Sequence, residues 1–142
     1  MFLRKTAALL GGTILALGVG CSTTTNPPES NEKLAAYAGS VGYPSDVKTE
    51  ESTTMGTAVD SDEKAIRIFN FGENELDGAD IWINGSFVYK IDSLPGKSHV
   101  KLRLADFYDH DGHSFADTSA TVTRVQIHAG DRLWTLLGPI TQ

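Results

Sequence analysis

Cysteine is almost missing from this chain. One residue, Cys21, stands in 142, so no intrachain disulfide braces the fold and its core must suffice alone. Cationic side chains are scarce as well, with 12 Lys and Arg against 18 Asp and Glu. Two of the twelve, Arg4 and Lys5, stand at the very start, so from Cys21 onward ten basic residues face 18 acidic ones, a net charge of −8. An acidic chain with its charges spread out does not track nucleic-acid phosphates and is repelled by an anionic membrane surface, so no nucleic-acid partner is expected. No Gly-x-Ser-x-Gly elbow presents a nucleophile, and no glycine-rich loop leads into a helix to cradle phosphate. The longest apolar run, residues 6–19, falls short of the about 20 residues that cross a bilayer as a helix.

What the chain does have begins at that same cysteine. Arg4 and Lys5 precede the uncharged run, which ends in Gly18-Val19-Gly20-Cys21 and is followed by Ser22-Thr23-Thr24-Thr25-Asn26-Pro27-Pro28. A basic start, an apolar stretch and small residues before a cleavage point form an export signal. Cut after Gly20, an ordinary signal peptide would leave Cys21 as a lone exported thiol. The segment resembles the signal of bacterial lipoproteins, although Leu17 stands one place earlier than the leucine of that motif. The resemblance implies removal of residues 1–20 and a Cys21 that carries a thioether-linked diacylglycerol and an amide-linked fatty acid. Several acyl chains together hold a protein firmly on a membrane. Ser22, where a retained lipoprotein has Asp, implies the outer membrane.

Residues 22–64 are rich in Ser, Thr, Asp, Glu and Pro, with eight acidic against three basic residues and almost no apolar cluster. This composition predicts a flexible polar tether over residues 21–64, spanning roughly 35 Å as a coil and up to ~140 Å when stretched. Residues 34–38 suit a turn or two of helix before Gly39, Gly42 and Pro44 stop it.

From Ala65 the pattern is that of β-structure. Residues 80–89 form two strand-like runs around Asn84-Gly85, a pair that accepts the positive φ angles of a tight hairpin turn. Leu94-Pro95-Gly96-Lys97 suits a type II turn, and Asp111-Gly112 marks another. Val100, Leu102 and Leu104 alternate with Lys101 and Arg103, and Val125 and Ile127 alternate with Arg124, Gln126 and His128. With residues 66–71 and 133–137 these make about six or seven short strands, the pattern of a small antiparallel sandwich over residues 65–142. Asn84-Gly85, Leu94-Pro95-Gly96, Asp106-Phe107 and Gly112-His113-Ser114-Phe115 resemble the turns of small immunoglobulin-like domains of bacterial envelope proteins. That likeness implies an all-β, immunoglobulin-like β-sandwich, and no activity.

A two-residue Asn84-Gly85 loop would set Trp82 opposite Phe87 and Asp80 opposite Tyr89. Trp82, Phe87 and Tyr89 then share one face, opposite Ile81, Ile83 and Val88, and both faces of the hairpin are apolar. One of them needs a cover: a further segment, a partner or a ligand. An aromatic face of this kind suits sugar rings or peptides, with Trp134 as a further candidate. The other constellation, Asp109, His110, Asp111 and His113, offers carboxylate and imidazole ligands. Its spacing fits neither an EF-hand, since Phe107 stands where an acid is required, nor a helical histidine pair; zinc would need another ligand such as His128. It reads more simply as an acidic turn, and no metal or other cofactor is expected. Roughly 75 residues of β-structure leave little room for a catalytic cleft. The resulting expectation is a non-enzymatic, lipid-anchored module at the outer membrane, facing the periplasm or the cell surface. Its partners would be the membrane through Cys21 and an envelope protein or glycan, with carbohydrate or small-ligand binding at Trp82, Phe87 and Tyr89 as the alternative.

Overall fold

The computed structural model describes residues 23–24 and 30–138; the signal-like residues 1–20 and Cys21 lie outside the described residues. The elements are β1 (Thr23–Thr24), α1 (Asn31–Ser40), β2 (Thr49–Val59), β3 (Ala65–Asn70), β4 (Leu76–Ile83), β5 (Phe87–Leu94), β6 (Ser98–Arg103), β7 (Val125–Ala129) and β8 (Arg132–Leu137). Short 3-10 turns occupy Leu104–Asp106 and Phe115–Asp117.

The chain is all-β in class, and its strands form one mixed, nearly closed sheet in the order β1-β6-β3-β2-β8-β7-β4-β5. Neighbours are antiparallel except for two parallel pairs, β1 with β6 and β2 with β8. This single sheet differs from the antiparallel two-layer sandwich expected above, and β2 is the reason. Its pairing with β3 on one side and β8 on the other joins the two halves into one sheet. The expected tether over residues 21–64 is therefore corrected: α1 and β2 belong to the folded unit. Ser30 caps α1 by accepting the Lys33 N–H at 3.3 Å, and the helix runs ten residues.

One face of the curved sheet makes the core. Met55, Val59, Ile66, Ile68, Val100 and Leu102 fill one half, and Ile81, Ile83, Ile91, Val125 and Ile127 the other, all buried. Phe107 and Phe115, from the loop between β6 and β7, close over the same core.

The last strand in the order, β5, and β6 near its other end are linked by only residues 95–97, which draws the two margins together. Buried Asn70 fastens this joint. Its amide donates to the carbonyls of Asn74 at 2.8 Å, Leu94 at 3.2 Å and Pro95 at 3.2 Å, and its own oxygen accepts the Gly72 N–H at 3.0 Å. Gly96 is required here by proximity: a Cβ would lie 2.2 Å from the Glu73 carbonyl oxygen. The positive φ of the turn falls on Lys97, at 59°, and not on the glycine as a type II turn centred on Pro95-Gly96 would have it.

Candidate functional site

The hairpin of β4 and β5 overturns the expected aromatic face. Ile83 stands opposite Phe87, Trp82 opposite Val88 and Ile81 opposite Tyr89, a loop of three residues instead of two. Asn84 and Gly85 do take positive φ, at 56° and 71°. The one-residue change of register moves every side chain of β5 to the other side relative to β4. Phe87 and Tyr89 join Ile81 and Ile83 in the core, where Phe87 packs edge-on to Phe115 and Tyr89 lies 5.5 Å from Phe107. Trp82 faces outward under the segment that follows α1, with Tyr43 edge-on at 5.4 Å. All three are buried, so they form neither a common face nor an accessible one. Trp134 is half-buried beneath the Arg132 guanidinium, 4.9 Å from its ring centre.

The cover over Trp82 is fastened by polar contacts that the sequence did not reveal. Tyr37 of α1 donates to the Asp80 carboxylate of β4, and Tyr43 donates to Gln126 of β7 at 2.8 Å. Burial, then the adjacent Asp80 carboxylate, pushes the Tyr37 phenol well above its ordinary value. Lys90 stands over the Tyr37 ring at 5.8 Å.

The acidic turn brings together Asp109, Asp111 and His113, each with a ligand atom within 4.8 Å of the others; His110 and His128 do not belong to the cluster. Asp109 is already engaged inside the turn. One oxygen accepts the N–H groups of Asp111 at 3.0 Å and His113 at 2.8 Å, and the other lies 3.2 Å from the His113 ring. Burial tends to raise its carboxyl, but the bonds from His113 and Asp111 outweigh this and hold it below the usual carboxylate range. That bonding accounts for Asp109 as the organiser of a turn.

A groove of about 760 Å³ opens at the end of the sheet where β3 starts and β6 finishes. Leu104, Phe115 and Val122 line it with apolar side chains, and Asp62, Lys64, Lys101 and Arg103 bring charge to its walls. No feature of the sequence announced it, because its walls come from three separate stretches of chain.

The outer face of β6, β3, β2 and β8 carries a different feature. His99, Phe69, Gly56 and Leu137 stand opposite one another in turn across the four strands, and Thr23 of β1 extends the row beyond His99. Phe69 stacks on Phe71 at 5.6 Å with planes 4° apart, and lies 5.4 Å from the His99 ring. Gly56 leaves the space that Phe71 covers: a Cβ there would lie 3.1 Å from the Phe71 ring. Phe71 is 60% exposed and Leu137 48%. They are the large hydrophobic side chains that the described surface leaves bare.

No family model, no curated protein and no solved structure matches this chain.

Proposed function

We propose that the chain is a lipid-anchored interaction or accessory module of the bacterial cell envelope, held at the outer membrane through acylated Cys21 and without catalysis of its own. The observation that carries the reading is Cys21 itself, the sole cysteine, placed directly after a basic start and an uncharged apolar run. Its mechanism is positional. The acyl chains fix one end, and the folded sheet presents its remaining surface to another envelope component. The immunoglobulin-like likeness rests on turn chemistry and lends this reading no weight.

Labelling cells with a fatty-acid probe and fractionating them tests the reading. Wild-type chain should carry label and sediment with outer membranes, and Cys21→Ser should lose both. An unlabelled, soluble wild type refutes lipid anchorage. A second reading, small-ligand binding, has the groove beside Leu104 and Phe115 in its favour, since an apolar floor with charged walls is the usual build of a ligand pocket. Ala120→Arg, at an exposed position on the groove's wall, would block such binding without touching the core or the sheet joint at Asn70.

A further inference from the structure

The structure leaves bare an aromatic patch beside the strand that leads back to Cys21. We propose that in the anchored protein the outer face of β6, β3 and β8 lies on the lipid surface, with Phe71 and Leu137 entering the boundary between headgroups and acyl chains. The inference rests on the anchorage proposed above.

Covalent reach comes first. One residue, Ser22, separates Cys21 from Thr23, so their Cα atoms are at most about 7 Å apart along the chain. Thr23 is paired with His99 at the sheet margin. A diacylglycerol on Cys21 therefore holds this margin at the membrane surface, and the long leash expected from composition does not intervene. Direction comes second. β1 runs parallel to β6, so the chain enters from the Ser98 side. Ser98 is opposite Asn70, and Phe71 follows directly. The anchor and the exposed ring thus share one end of the sheet, while the groove opens at the Arg103 end.

Surface chemistry comes third. Phe69, Phe71 and Leu137 lie in or beside the row that starts at Thr23, and the next same-face positions on β3 and β6 hold the exposed cations Arg67 and Lys101, opposite one another. Aromatic rings bordered by Lys and Arg suit the headgroup level of a bilayer. Asp60 pairs with Arg67 at 3.4 Å and with Lys101 at 3.0 Å. Beside the rings, Arg67 and Lys101 thus meet one carboxylate, and Glu73, two residues beyond Phe71, is paired with Lys97 at 3.4 Å, so on a chain whose charge from Cys21 onward is −8 these groups add no local excess of acid. The patch is too small to hold a protein on a bilayer alone; it acts because the anchor raises its local concentration there.

The sole cysteine makes the test site-specific. All the described sheet lies after Cys21, so the chain from Cys21 onward contains it whole. That chain is coupled through its thiol to maleimide-bearing lipid in phosphatidylcholine vesicles, some of whose acyl chains are brominated near the glycerol. Phe71→Trp and Lys33→Trp, the latter on the exposed side of α1, are compared after subtracting the wild-type signal of Trp82 and Trp134. Bromolipid should quench the tryptophan in Phe71→Trp at least about twofold more than that in Lys33→Trp, with a blue-shifted emission. Equal quenching overturns the proposal. So does a blue shift without bromine quenching that disappears on diluting the tethered protein, because that marks a second copy as the cover. Fatty-acid labelling in cells reports separately on acylation. A negative result there removes the anchorage, whereas the coupled vesicles still decide whether this face seeks lipid.

Discussion

Asn70→Ala should be among the most damaging single substitutions in the chain. The amide has two hydrogens and contacts three carbonyls, so it makes two full donor bonds, one of them shared, plus the bond that its oxygen accepts from Gly72. Each intramolecular hydrogen bond contributes about 1 kcal/mol net, and a buried polar group left without a partner costs about 1–3 kcal/mol. Alanine removes all the bonds and leaves the Leu94 carbonyl without this donor. The loss should be about 3 kcal/mol, a large share of the 5–15 kcal/mol typical of a domain. Asn70→Asp should cost more than alanine at neutral pH. The carboxylate has the same shape but would point charge at three carbonyl oxygens. Its deficit should shrink as pH falls, since a protonated carboxyl donates again. Urea unfolding followed by the fluorescence of Trp82 and Trp134 measures both. A cost for Asn70→Ala below about 1 kcal/mol with an unchanged slope would refute the view that this amide holds the sheet margins together.

Gly96→Ala should destabilise by more than 2 kcal/mol, roughly, because backbone at Glu73 has no room to yield, and thermal unfolding reads this directly. Tyr37→Phe should cost about 1–2 kcal/mol for a bond to a partly exposed carboxylate. Because the folded phenol titrates above its ordinary value, the wild-type advantage should be complete below pH ~10 and fade as pH rises beyond it, so the variants converge in alkali. Asp109 is depressed in the fold, so its contribution should be present above pH ~4 and vanish in acid; Asp109→Asn should narrow toward the wild type as pH falls, measured by amide exchange at His113. Trp82→Phe should change stability by no more than about 1 kcal/mol, since lost contact area is offset by removing an indole N–H that has no acceptor among the described residues.

Where alternation was clean, the strands were legible. Val100 and Leu102 lie in β6, Val125 and Ile127 in β7, and Asp111-Gly112 turns as expected. β2 was not, because a central strand with a polar outer face contributes Ser52, Met55, Thr57 and Val59 to the interior, and its register shifts between Glu51 and Gly56. Composition reads such a segment as a linker. The hairpin register was illegible for a related reason. Asn84-Gly85 permits loops of two or three residues. The choice is made by burial: only the longer loop brings Phe87, Tyr89 and Ile91 onto the same side as Ile81 and Ile83, against Phe107 and Phe115. Asn84 adds to this by accepting the N–H groups of Thr123 at 2.8 Å and Arg124 at 3.1 Å, contacts nearly forty residues away.

The sequence by itself determined the β class, the turn positions and the candidate anchor at Cys21, because these rest on local φ preferences, period-2 alternation and the order of charged, apolar and small residues. Tertiary structure alone decided which aromatic rings are buried and which are bare. Trp82 is covered by residues before β2, and Phe71 is left open over Gly56. Neither outcome is encoded near the residue concerned, since exposure depends on what distant segments pack above it.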